Sequence, residues 1–286
     1  MRVVLLVLLA ACGSKPAAPS SSSGANRVVT SNVLRSDYAG SEKCADCHAE
    51  IYKAWAASPM RNMTRDAATA SIRAPFDGTT FTVGDSTATM ETDNGVRYMR
   101  VVTPKSNERY RITKVVGGRY REDFVGTSAP GEREVVLPAT YVFATKSWRY
   151  KGYSVMVKER PEMSVRAVWS QECIACHNTL PLATNLYDDL YGPDLPGYQG
   201  KLSDRTIPKQ LAWTARMRDD DGLSSALRSE IAFLGLEPTG SGARALIKEA
   251  AAATQDKLDG GKLVELGIGC EACHNGSRAH AADPEV

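Results

Sequence analysis

Six of the chain's seven cysteines fall in one repeated pattern, C-x-x-C-H. It occurs as Cys44-Ala45-Asp46-Cys47-His48, Cys173-Ile174-Ala175-Cys176-His177 and Cys270-Glu271-Ala272-Cys273-His274. Two thiols one helical turn apart can add to the two vinyl groups on one edge of a porphyrin. The next residue then swings its imidazole under the ring to ligate iron, which makes the pattern the attachment signature of c-type haem. Structural zinc sites pair C-x-x-C units two by two, leaving one of three units over, and need no histidine after each second cysteine. A thioredoxin-like motif occurs once, beside a βαβ pattern that this sequence lacks. Three adjacent-turn pairs are also an unusual framework for structural disulfides. The expected cofactor is therefore three covalently bound haem c groups, and part of the core of this chain is porphyrin.

Histidine is scarcer than cysteine, with four in the chain. His48, His177 and His274 are the expected proximal iron ligands, which leaves His280. At most one haem can then be bis-histidine; the other two take a different sixth ligand or stay open. The candidates are Met60, Met63, Met90, Met99, Met156, Met163 and Met217, and a thioether raises the reduction potential relative to a second imidazole. Met60 is the first choice. It follows the helix expected at 44–57, which ends near Pro59, and the proline fixes the backbone so that the next side chain projects from the helix end. Met63 is the reserve. Met156 and Met163 flank the approach to the second motif, and Met90 and Met99 lie in apparent strands and read as packing.

The chain opens with Met1-Arg2 and then an unbroken apolar run, Val3 to Leu9. That run is too short to span a bilayer but suits the apolar region of a signal peptide. Leu9-Ala10-Ala11-Cys12 resembles the lipobox of bacterial lipoproteins, which implies cleavage before Cys12 and lipidation of that residue; a plain secretory signal is the alternative. Gly13 to Asn26, GSKPAAPSSSSGAN, reads as a flexible tether. Gly13 after the cysteine favours the outer membrane by analogy with known sorting. The expected location is the bacterial cell envelope, facing the periplasm and held by the lipid anchor. Covalent haem attachment outside the cytoplasm agrees with export.

The stretch YAGSEKCADCHAEIYKAWAASPMRNM resembles the opening of multihaem cytochromes related to cytochrome c-554. Many members have G-S-x-x-C-x-x-C-H, an aromatic-rich helix, then W-x-x-S followed by a histidine, and Met60 stands about where that histidine occurs. GIGCEACHNGSRAH is similar to the family's G-V-x-C-E-x-C-H-G-P-G-S-x-H. The resemblance implies that His280 ligates a haem other than that of its own motif, that the haems are closely packed, and that the activity is periplasmic electron transfer, sometimes beside nitrogen-oxide or hydroxylamine chemistry. GGRYREDF, YVFATKSWRYKGYS and VWSQECIACHNT are similar to members with a β-rich insert before a haem helix.

The expected fold is α+β, with haem-bearing helices at both ends around three c-type haems and a central antiparallel β-rich segment. The expected segments are a signal peptide at 1–12, the tether at 13–36, a first haem segment at 37–70, the β-rich segment at 71–160 and a helical region at 161–286. Haem helices are placed at 40–57, 168–178 and 268–275. Between Thr79 and Val157 alternating Val, Thr and Tyr predict five to seven strands, broken at Asp93-Asn94-Gly95, Gly117-Gly118 and Pro130-Gly131. Pro181 to Pro208 reads as irregular connection, followed by helices at 207–218, 223–234 and 242–258. Trp55, Trp148, Trp169 and Trp213 are expected to pack on haem faces. Asp219 to Asp221 reads as a solvated helix end, while Arg119 and Arg121 either pair with propionates or are surface charge.

With 43% hydrophobic residues and a net charge of +2, nothing favours nucleic acid as a partner, and no apolar run reaches the length of a membrane span. Two function classes remain open. One is a non-enzymatic electron carrier serving redox proteins or a quinol-oxidising membrane complex. The other is a small haem oxidoreductase acting on a nitrogen oxide, hydroxylamine or peroxide at an open iron; a haem-based sensor is a third, lesser reading.

Overall fold

The structure is a computed structural model in which residues 32–151, 163–191 and 220–285 are described. Its centre is an antiparallel sheet of β1 (Thr64–Asp66), β2 (Thr80–Val83), β3 (Ser86–Asp93), β4 (Val96–Thr103), β5 (Ser106–Gly117), β6 (Arg121–Thr127), β7 (Val135–Val136), β8 (Ala139–Val142) and β9 (Ser147–Tyr150). The order is β2-β3-β4-β5-β6-β8-β9, with β1 added on β5 and β7 on β6. Strand β2 also meets β9, so the sheet curls into a near-barrel.

The expected meander is present, with more strands than the turn signals indicated: β2 to β9 make eight. Burial alternates along β3, where Ser86, Ala88 and Met90 point inward and Thr87, Thr89 and Glu91 outward, as a strand with one covered face requires. Met90 pairs with Met99 across β3 and β4, and both are fully buried, as their packing role demands. The hairpin between them closes on Asn94 (φ 48°) and Gly95 (φ 80°), a two-residue turn whose left-handed backbone matches the strand twist. Phe76, Phe124, Leu137, Trp148 and Met163 complete this core. Trp148 stacks edge-on to Phe76, 5.6 Å between centroids, so it packs inside the sheet core rather than on a haem face. Met163 is likewise core, and Met156, Met217 and Trp213 lie outside the described residues.

The helices are α1 (Ala49–Ala56), α2 (Trp169–Glu172), α3 (Ile174–His177), α4 (Ala183–Tyr191), α5 (Asp220–Phe233), α6 (Ala243–Lys257), α7 (Glu271–His274) and α8 (Arg278–Ala282). Two short strands, β10 (Asn178–Thr179) and β11 (Glu265–Leu266), pair with each other. The haem helices are shorter than expected. The first motif runs through a 3-10 turn at Ser41–Cys44 and a bend before α1, and the second is interrupted at Cys173. A correction falls at Pro181–Pro208, whose first part is α4. Leu182, Leu186 and Leu190, four residues apart, bury one stripe of it against Leu227 and Ile231 of α5 and Leu246 and Ala250 of α6. The expected helices at 223–234 and 242–258 are α5 and α6, and that at 207–218 lies outside the described residues. A third core joins sheet to helices through Val116, Val125, Trp169, Ile174 and Leu258. Among the described residues no helix is long and apolar enough to cross a membrane.

Candidate haem-attachment sites

Sequence places the three motifs far apart, and the fold draws them together. The first and third are joined through Glu271, the residue after Cys270. Its buried carboxylate accepts N–H groups from Ala39 (2.9 Å), Gly40 (2.7 Å) and Ser277 (2.8 Å). Ser41 donates to Glu265 at 2.5 Å and accepts the N–H of Cys270 at 2.9 Å. Gly276 donates to the Asn32 carbonyl at 2.8 Å, and a Cβ there would lie 2.6 Å from Cβ of Asp37, so the approach admits only glycine without movement. Arg278 of α8 donates to Ser36 O at 2.7 Å.

These contacts make Cys44 and Cys270 neighbours. Burial, followed by the neighbouring Cys270 thiol, pushes the pKa of Cys44 up to about 11. His48, on the exposed turn before α1, stands beside His280 of α8. Their ring centroids are 6.3 Å apart and their planes differ by 18°. Cys47, Cys273 and His274 are exposed.

The second motif is tied to the third by β10 and β11. Thr179 pairs with Glu265 and accepts the N–H of Gly269 at 2.8 Å, and Asn178 accepts that of Gly267 at 3.2 Å. Thr64 of β1 donates its hydroxyl proton to the His177 carbonyl at 3.1 Å, which fixes the motif to the sheet. Cys173 is pushed up to about 12 by burial. Burial, followed by the positive charge of Lys151, lowers His177 to about 4, and its Nδ1 is buried without a hydrogen-bond partner among the described residues.

The methionines divide. Met60 is 43% exposed, and its carbonyl accepts the N–H of Ile268, on the approach to Cys270. Met63 is half-buried in a cleft of about 920 Å³ that it shares with Arg65, Arg119, Tyr120 and Arg121. Trp55, on α1, donates its indole N–H to the carbonyl of Ile268 at 2.9 Å. Trp169 is fully buried under the ammonium of Lys114, 4.5 Å from its ring centre.

A group that sequence reading missed lies beside the second motif. Asp123 of β6 is buried, and its Oδ2 pairs with Lys151 Nζ at 3.0 Å and Arg121 Nε at 3.4 Å. Burial would raise its pKa, but Lys151 and Arg121 outweigh that and hold it below the usual carboxylate range. Its Oδ1 has no hydrogen-bond partner among the described residues.

These residues fit covalent haem. Each motif offers two thiols and an imidazole. An iron between two imidazoles, with bonds of about 2.0 Å and about 1.1 Å from each ligating nitrogen to its ring centre, sets the centroids about 6.2 Å apart. The His48 and His280 rings have that separation. Among the described residues no three His, Cys, Asp or Glu side chains converge as a bare metal ion would need.

No family model matches the chain, and no curated protein does. Among solved structures the outer cell wall cytochrome OcwA is similar at a TM-score of 0.39 and 16% identity, over 87% of this chain and 34% of that one. The chain thus spans about a third of that cytochrome's length. A likeness of that size carries no argument.

Proposed function

We propose that the chain is an exported trihaem c-type cytochrome, anchored to the envelope through lipid on Cys12, that carries electrons between periplasmic or membrane redox partners. These are redox proteins or a quinol-oxidising membrane complex. The observation that carries this reading is the pairing of His48 with His280 at the separation of two imidazoles on one iron. Cys44 and Cys47, Cys173 and Cys176, and Cys270 and Cys273 hold the porphyrins. His48, His177 and His274 are the proximal ligands, and His280 is the sixth ligand of the first haem.

Bound haem supplies one-electron exchange at iron, with a potential set by axial ligand, burial and neighbouring charge. The chain's own residues set those terms differently at each site. The first has two imidazoles in an exposed turn. The second has a half-buried histidine, its Nδ1 buried, near Lys151, Arg121 and Asp123. Met60 is the proposed thioether ligand of the third, because its segment holds Ile268, two residues before Cys270. Cys44 and Cys270 are neighbours, so the two attachment edges lie side by side, which favours rapid exchange between the first and third haems.

The second reading, an oxidoreductase acting on a nitrogen oxide, hydroxylamine or peroxide, draws support from the same charged group at the second motif. Cationic side chains suit a small oxyanion, and Asp123 supplies a carboxylate. A potentiometric titration with optical and EPR spectra separates the two. Three low-spin haems indifferent to CO and nitrite support the carrier. A high-spin haem that binds either ligand overturns it in favour of the enzyme.

A further inference from the structure

The second motif and the strand beside it hold two buried polar atoms that lack hydrogen bonds among the described residues: Nδ1 of His177 and Oδ1 of Asp123. One is a potential donor and the other an acceptor. Unpaired buried polar groups are destabilising, so a fold that holds both beside one candidate cofactor site calls for an explanation.

The sheet puts them on the same side. Thr64 pairs with Val116, and Val116 pairs with Asp123. Directly opposed residues of an antiparallel sheet present their side chains to one face. The hydroxyl of Thr64 reaches the carbonyl of His177, and Val116 packs in one core with Trp169 and Ile174. Asp123 therefore lies on the face that the second motif covers. Its other oxygen is held by Lys151 and Arg121, which keep the group ionised and fix its position on a central strand.

A histidine that ligates metal through one ring nitrogen almost always donates the proton on the other to a carboxylate, a carbonyl or water. That bond fixes its tautomer and raises its basicity. We propose that Asp123 is a positioning residue for the second haem, its Oδ1 accepting the Nδ1 proton of His177 when iron occupies the opposite ring nitrogen. The negative charge behind the imidazole strengthens its donation to iron and stabilises the oxidised state, so the second haem has a lower potential than its burial and nearby cations would give. The inference rests on haem being attached at Cys173 and Cys176.

The test is the midpoint potential of each haem in the holoprotein, for wild type, Asp123→Asn and the charge-balanced pair Asp123→Asn/Lys151→Met. The potential of one haem is expected to rise in Asp123→Asn while the other two stay fixed, and to remain raised in the double variant, whose net charge equals that of wild type. An unmoved potential overturns the proposal. So does a return to the wild-type value in the double variant, since Asp123 then acts by charge alone. If the variants lose haem, a crystal structure of the wild-type holoprotein decides: Oδ1 and Nδ1 within about 3.2 Å supports the bond, and another acceptor on Nδ1 overturns it. Haem content, counted separately, tests the premise. Two haems per chain with Cys173 and Cys176 free overturns the trihaem reading itself, and this inference with it.

Discussion

The carboxylate of Glu271 accepts the N–H of Gly40 at 2.7 Å, joining the residue after Cys270 to the segment that leads into Cys44. With Ala39 and Ser277 it satisfies three backbone donors from a side chain that is 1% exposed as a residue. Removing the acceptor leaves those part-buried donors without it, so Glu271→Ala is expected to destabilise the holoprotein by on the order of 3 kcal/mol. Glu271→Gln, which keeps an acceptor without the charge, should lose less. Chemical denaturation of both variants checks the order, and equal midpoints for all three proteins would show that the clasp contributes nothing.

His280→Ala is expected to remove a ligand from the first haem, not from the third, whose motif is six residues away in sequence. The reason is that its ring stands beside that of His48, 6.3 Å between centroids, and not beside that of His274. Haem content should remain three per chain while one low-spin EPR signal is replaced by a high-spin one, and added imidazole should restore it. A change confined to the haem on Cys270 and Cys273 contradicts the assignment.

Methionine variants separate ligation from packing. Met90 and Met99 are fully buried partners across β3 and β4, so truncating either to alanine is expected to cost about 2–5 kcal/mol with no change in any potential. Met60 is 43% exposed, and Met60→Ala should leave stability within about 0.5 kcal/mol. Its expected effect is on one potential, which falls, or on spin state, as one iron opens. If neither moves, Met60 is a surface residue.

How much of this was legible in the sequence differs by element. The composition of each motif was, because its two cysteines and its histidine lie within five residues of chain; the contacts that draw the three motifs together were not. The hairpin at Asn94-Gly95 was, because a tight turn needs left-handed backbone. Helix α4 was not: Pro181 and the prolines beyond it outweighed the four-residue spacing of Leu182, Leu186 and Leu190. Asp123 was not either. On a strand a charged residue reads as part of a solvated face, as the exposed Arg121 does, yet Asp123 beside it is buried. Glu271 sits inside a motif already assigned, and its carboxylate matters because Ala39 and Gly40 return to it from the other end of the chain.

Thiol reactivity of the haem-free chain gives an independent check on how the motifs are buried. Alkylation proceeds through the thiolate, so a raised pKa slows it at any pH below that value. From an ordinary value of 9.0, Cys173 is raised to about 12 by burial and Cys44 to about 11. At pH 8 that leaves about a thousandfold less thiolate at Cys173, and about a hundredfold less at Cys44, than on an ordinary thiol. The two should therefore alkylate in the order Cys44, then Cys173, and both rates should climb about tenfold per pH unit up to pH 10. Mass spectrometry of peptides from a timed iodoacetamide reaction reads each site. Equal rates at Cys173 and Cys44, matching those of the denatured chain, would mean that the second motif does not fold against the sheet before haem is attached.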